Sequence, residues 1–84
     1  MIVLDASRLC TRSAAHEYLS EQLHFPDYYG RNLDALYDCL TELDETEVEF
    51  VNLDAVAESY FARVLSVFQE AEGKNPKLHL SYRL

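Results

Sequence analysis

The chain has 84 residues, 15 acidic and 7 basic, with a formal net charge of −8 at pH 7 and 49% hydrophobic residues. This is a globular composition of a length that suits one small domain, residues 1–84, with one core and little room inside it for a cofactor-sized cavity. The negative balance opposes binding to nucleic-acid phosphates and to anionic membrane surfaces, and the apolar runs fall far short of the ~20 residues of a membrane helix.

Met1–Asp5 opens on an apolar run and predicts a buried strand; it lacks the basic start and long apolar stretch of a secretory signal. Residues 6–12 read as a loop. Ser13 is the expected N-cap of a helix to about Leu23, in which Ala15, Tyr18, Leu19, Gln22 and Leu23 recur at intervals of three and four. Pro26 stops that helix, because the residue before a proline is pushed out of the helical region. Phe25–Arg31 is a connector, and its Gly30 is expected to take a backbone angle that a Cβ would resist. Asn32 caps a second helix, Leu33 to about Leu43, followed by an acidic turn at Asp44-Glu45-Thr46. Glu47–Leu53 predicts a strand, with Val48 and Phe50 alternating with Glu49 and Val51.

Asp54–Glu72 reads as helical, with Val56, Tyr60, Phe61, Val64, Leu65, Val67, Phe68 and Ala71 on a wide apolar stripe. Ser59 and Tyr60 are weak helix formers, so its first turn could form a separate short helix. Gly73 is expected just past the helix end. After Asn75-Pro76, the alternation of Leu78, Leu80 and Tyr82 with His79, Ser81 and Arg83 predicts a last strand. Helices between consecutive strands imply parallel pairing, so the fold class is α/β: a small three-stranded parallel sheet with three or four helices, most of them on one face. The Ile2-Val3-Leu4 run favours the first strand as the central one, and the path of least crossing favours the second.

Eight acids lie in residues 26–49 (Asp27, Asp34, Asp38, Glu42, Asp44, Glu45, Glu47, Glu49) against one base, Arg31. Such a stretch is either a solvated face or a docking surface for a basic partner. On a helical wheel Leu33, Leu36, Leu40 and Leu43 gather on one side, with Asp34, Asp38, Thr41 and Glu42 opposite and Tyr37 at the border. Carboxylates at i, i+4 and i+8 repel one another by roughly 0.2–0.5 kcal/mol per neighbouring pair. No Lys or Arg occupies positions 32–62 to offset this, which points to electrostatic docking.

Catalysis is not expected. Asp34 and Asp38 would sit on a convex surface rather than in a water-excluding pocket, and no Ser-His-Asp spacing, phosphate-cradling glycine loop or zinc signature is present. His16, His24 and His79 fall in different elements without ligand spacing, so neither a metal nor a cofactor is expected. Of the tyrosines after Pro26, one is expected in the core and the other exposed, with Tyr28 the better interface residue. Cys39 is expected as a semi-buried filler, and two cysteines, Cys10 and Cys39, are too few to staple a secreted mini-protein; reduced thiols and a cytoplasmic location are the expectation.

The string Pro26-Asp27-Tyr28-Tyr29-Gly30-Arg31-Asn32-Leu33-Asp34-Ala35-Leu36-Tyr37-Asp38-Cys39-Leu40-Thr41 closely resembles the core motif of the barstar-like family of intracellular ribonuclease inhibitors. Ser13 and His16, and Val67-Phe68-Gln69-Glu70-Ala71, add weaker support, so the resemblance spans nearly the whole chain. It implies an inhibitor, monomeric when free, whose acidic helix and preceding loop cover the active site of a small basic ribonuclease, barnase-like or a toxin nuclease. Tyr28, Asn32, Asp34, Tyr37, Asp38 and Thr41 would be its contact residues and Glu70 a peripheral one, with Asp38 in the place of a substrate phosphate. Tyr37 and Leu43 stand where tryptophans occur in barstar-like inhibitors. An acidic module that binds some other basic protein is the alternative carried by the charge pattern alone.

Overall fold

The computed structural model describes residues 1–55 and 60–83. In chain order these form β1 (Ile2–Asp5), a 3₁₀ turn at Ala6–Arg8, α1 (Arg12–Gln22), α2 (Leu33–Thr41), β2 (Thr46–Val51), a 3₁₀ turn at Leu53–Ala55, α3 (Phe61–Lys74) and β3 (Leu78–Tyr82). The α/β class with one three-stranded parallel sheet is the expected one. β2 is the central strand, flanked by β1 and β3, which settles the order left open by the sequence. The unbroken apolar run of β1 is accordingly at an edge, where Val3 is 42% exposed.

The register aligns Ile2, Val48 and Leu80 in one row and Leu4, Phe50 and Tyr82 in the next. Side chains alternate across a strand, so these rows share the face on which Leu4, Val48, Phe50 and Leu78 are buried. Phe50 is the centre of that face. Its ring meets Phe68 and Phe61 edge-on, at centroid distances of 5.1 and 5.6 Å, and stacks on Tyr82 at 5.9 Å. The helices close the core with Ala15, Tyr18 and Leu19 from α1, Leu36 and Leu40 from α2, and Phe61, Val64, Phe68 and Ala71 from α3. Each large side chain fully buried in this way contributes roughly 1.5–3 kcal/mol.

Several local expectations are corrected. The N-cap of α1 is Thr11, not Ser13, which lies inside the helix. Thr11 makes no side-chain cap bond; its carbonyl accepts from the Ala15 amide at 2.9 Å, so the preceding 3₁₀ turn and the packing of Ala15 and His16 set the entry, not a hydroxyl. Gly30 has no positive φ; its neighbour Arg31 does, at 54°. Gly30 is needed for closeness instead, since a Cβ there would lie 3.2 Å from the Ala35 Cβ and from Asn32 Nδ2. α2 ends at Thr41 with Glu42 as its C-cap, short of Leu43, and β2 ends at Val51 because Asn52 turns at a φ of 58°. The segment expected to be helical from Asp54 opens on a 3₁₀ turn at Leu53–Ala55, and the Tyr60 amide donates to the Cys10 carbonyl before α3 starts at Phe61; residues 56–59 between them lie outside the described residues. Val56 of the expected stripe lies outside the described residues. Gly73 is within α3, whose C-cap is Asn75.

Candidate protein-docking face

Both ends of α2 are held by asparagines. At the start, Asn32 Oδ1 accepts from the Ala35 amide at 2.7 Å and its Nδ2 donates to the Gly30 carbonyl at 3.2 Å, so the cap ties the connector to the first helical turn. At the end, the buried Asn75 donates from Nδ2 to the carbonyls of Leu40 and Leu43, at 3.0 and 2.9 Å, filling acceptors that a helix terminus leaves open. Its Oδ1 accepts from the Lys77 amide at 3.0 Å, so one side chain joins the end of α2 to the start of β3. The sequence reading missed this residue. Its signal is a polar side chain after an apolar helical stripe, indistinguishable from a turn asparagine until α2 packs against α3.

The connector is anchored from below. Tyr29 is buried and its hydroxyl lies 2.7 Å from Nδ1 of the buried His16; Nε2 of the same ring lies 2.8 Å from the Tyr60 hydroxyl. A neutral imidazole donates from one nitrogen and accepts at the other, and a tyrosine hydroxyl can answer either. Burial, with Arg12 and Arg31 nearby, pushes the His16 pKa below its usual value and so keeps the ring neutral. Burial likewise raises the Tyr29 hydroxyl well above the usual tyrosine range. The three rings join α1, the connector and the start of α3, and they leave Tyr28 pointing outward at 88% exposure. Tyr28 and Tyr29 thus divide as the sequence suggested.

On the outer surface of α2, Asp34 and Asp38 are exposed and neither carboxylate has a hydrogen-bond or ion-pair partner among the described residues. Tyr37 and Thr41 are half-buried beside them, with Thr41 Oγ1 donating to the Asp38 carbonyl at 2.9 Å. The helical spacing sets Asp34, Tyr37, Asp38 and Thr41 in one stripe. Glu70 stands exposed on α3, outside the lining of the two clefts that border that stripe. Asn32 is at the head of the stripe, and both polar atoms of its side chain are occupied by the cap. The next acid of α3, Glu72, accepts from the Leu80 amide at 3.0 Å and is part of the β3 contact.

The acidic stretch divides in two. Past α2, Asp44 lies 3.8 Å from Lys77, Glu45 2.6 Å from His79 and Glu49 2.6 Å from Arg83, because β2 and β3 are neighbours. Those three acids are answered by the fold, whereas exposed Glu47 and the carboxylates of α2 have no ion-pair partner among the described residues. Next to them, a cleft of about 450 Å³ opens between residues 23–30 and the flank of α2, its wall including Tyr28, Gly30, Ala35, Asp38, Cys39 and Glu42. Its apolar wall and acidic lip suit a protruding cationic or aromatic side chain. A larger cleft, about 530 Å³, lies between the first 3₁₀ turn and α1 and contains none of the predicted site residues. Among the described residues no group of three or more His, Cys, Asp or Glu is placed to hold a metal, and no described helix is long and apolar enough to cross a membrane.

The molecule is a small parallel α/β domain in which an acidic helix, held at both ends, lies beside an exposed tyrosine. The family model described as barstar (barnase inhibitor) matches residues 1–83, and the chain belongs to that family. It is also 45% identical to a Bacillus subtilis (strain 168) protein named "Putative ribonuclease inhibitor YrdF", over an alignment of 78 residues that covers 84% of each chain.

Proposed function

We propose that this protein is an intracellular inhibitor of a small basic ribonuclease and that it blocks the active site with α2 and the connector before it. The observation that carries this reading is the pair of exposed carboxylates, Asp34 and Asp38, left without partners on a helix pinned at both ends. Membership of the barstar family and the name of the Bacillus subtilis relative support it.

A ribonuclease active site is built to hold RNA phosphates, so it concentrates arginine, lysine and histidine. Arginine pairs with carboxylates in a bidentate, charge-assisted way. Asp38, at the middle of the stripe, takes the place of a phosphate, with Asp34 beside it, Tyr28, Tyr37 and Thr41 filling the surrounding surface, Asn32 fixing the start of the helix and Glu70 at the margin. The cleft between Tyr28 and Asp38 receives a side chain of the enzyme. The inhibitor does no chemistry; it occupies the site and excludes RNA. A cytoplasmic location with both thiols reduced follows for a protein that protects its producer from its own or a rival's nuclease.

Titration of a fixed amount of barnase with the protein, read by RNA cleavage, tests the reading. The expected result is loss of activity to an endpoint of one inhibitor per enzyme. Full activity at a large excess over enzyme would reject inhibition of a barnase-like ribonuclease.

A further inference from the structure

Three arginines meet at the N-terminal end of α2. Arg12 is the first residue of α1, Arg63 lies in the first turn of α3, and Arg31 directly precedes the α2 cap. A cleft of about 250 Å³ is lined by Arg12, Asn32, Leu33, Asp34, Tyr60 and Arg63. A second, about 270 Å³, is lined by Arg12, Ser13, His16 and Arg31. The starts of three helices therefore converge there, with Arg12 common to both clefts.

Among the described residues no acid is paired with the cations at this place. All three arginines are exposed, and none has an ion-pair partner among the described residues. Elsewhere Lys77 and Arg83 are paired with acids, and Arg8 lies over the Tyr18 ring at 4.5 Å. The N-terminus of a helix is its positive end, where a cation is disfavoured, yet α1 and α3 have no acid in their first turns and carry Arg12 and Arg63 there. Arg31 holds a φ of 54°, a region that non-glycine residues rarely visit. Among the described residues these charges form no ion pair, like Asp34 and Asp38 but of opposite sign.

We propose that Arg12, Arg31 and Arg63 form a cationic subsite that receives an acidic side chain of the ribonuclease docked on α2 and so fixes the orientation of the complex. This rests on the inhibitor reading above. Asp34 lines the same cleft as Arg12 and Arg63. A free polyanion entering it would meet that carboxylate, whereas a protein surface that sets a cation beside a carboxylate complements both signs. Alternating charge across an interface fixes register and rejects partners with the wrong pattern.

The test is the triple variant Arg12→Gln, Arg31→Gln, Arg63→Gln, with urea unfolding to establish that it folds. In stopped-flow measurements with barnase, simple steering predicts tighter binding, because the variant is more negative and the enzyme is basic. The subsite predicts the opposite, a dissociation rate at least tenfold faster. An unchanged or slower rate overturns the proposal. A second measurement needs no nuclease: the arginine Nε–H resonances of the free protein are followed during titration with acetyl-Lys-Glu-Lys-Glu-amide, with acetyl-Lys-Gln-Lys-Gln-amide and with inorganic phosphate. The glutamate peptide is expected to shift Arg12, Arg31 and Arg63 and to leave Arg8 unchanged, and the glutamine peptide to shift none of them. Equal responses to both peptides, or none at millimolar concentration, overturn the subsite; a stronger response to phosphate overturns its assignment to a protein carboxylate. Failure of the wild type to bind barnase counts against the inhibitor reading, and the peptide titration then decides the subsite by itself.

Discussion

Asp38→Asn should stabilise the free protein while weakening inhibition. Asp38 is exposed, has no partner for its carboxylate, and has Asp34 and Glu42 one turn away on either side. The pair with Asp34 lies within α2 and repels by roughly 0.2–0.5 kcal/mol. The pair with Glu42 is looser, since Glu42 is the C-cap, but Asp38 also sits in the last turn of a helix that ends at Thr41. A negative charge at that end opposes the helix dipole by roughly 0.3–1 kcal/mol. Asparagine and aspartate have similar helix propensities, so the backbone contribution nearly cancels. The net gain is about 0.5–1 kcal/mol, and with a urea slope near ~1 kcal/mol/M it moves the midpoint up by about 0.5–1 M. It should shrink at high salt, as the screening length falls from about 10 Å at 0.1 M to about 3 Å at 1 M. Urea unfolding of both forms at low and high salt, beside an inhibition titration, is the assay. Opposed signs mark a residue kept for binding at some expense of stability. Destabilisation of the free protein by about 1 kcal/mol or more would refute the reasoning, because it would make Asp38 a structural acid.

Tyr28→Ala should leave stability within about 0.5 kcal/mol but weaken inhibition, whereas Tyr29→Phe should destabilise by about 1–3 kcal/mol by leaving a buried His16 nitrogen without its partner; urea unfolding and inhibition titrations of both variants check the contrast. His16 has a lowered pKa in the fold, so above the ordinary value of 6.5 it contributes no pH dependence; as pH falls below 6.5 the unfolded chain takes up a proton that the folded chain refuses, and stability declines until the folded pKa is passed. The slope of stability against pH just below 6.5 should be shallower in His16→Asn, and an unaltered slope would contradict a neutral buried ring. Cys10 and Cys39 are free and half-buried, and burial with the nearby Glu42 and Asp38 raises the Cys39 thiol pKa. Cys39 should therefore resist alkylation at neutral pH, and a double Cys→Ala variant should fold and inhibit; loss of wild-type folding on reduction would be inconsistent with this.

The sequence made the elements and the face of α2 legible for a simple reason. Leu36, Leu40, Asp34 and Asp38 are separated by the helical period, and one buried side suffices to orient all of them. The Tyr28–Tyr29 division was legible because two neighbouring tyrosines after a proline in a short connector do not both fit one small core; the turn closed by the Tyr29 amide on the Pro26 carbonyl turns one inward and leaves the other outside. What stayed hidden depends on partners distant in sequence. His16 reads as a lone helical histidine until Tyr29 and Tyr60 are brought to its two nitrogens, 13 and 44 residues away. Asn75 reads as a turn residue until it reaches the Leu40 carbonyl, 35 residues back. The division of the acids follows from β2 and β3 being neighbours, which a charge count along the chain does not contain. Gly30 was misread for a local reason: the left-handed angle expected of it falls on its neighbour Arg31, while the glycine serves the close approach of Ala35. The gathering of Arg12, Arg31 and Arg63 is likewise invisible until three helix starts converge.

The central claim is that the unpartnered acids of α2, and not negative charge in general, block a ribonuclease. Its most direct test is to titrate barnase with wild type, Asp38→Ala and Glu21→Ala in parallel and compare inhibition constants. Both variants lose one exposed carboxylate, but Glu21 lies on α1 beside the cleft that holds none of the docking residues. Removing one member of a desolvated charge pair leaves the other buried and unpaired, at about 3–5 kcal/mol. Asp38→Ala should therefore weaken inhibition on the order of a hundredfold to a few thousandfold, and Glu21→Ala by less than about fivefold. Equal, small effects of the two substitutions would contradict the account.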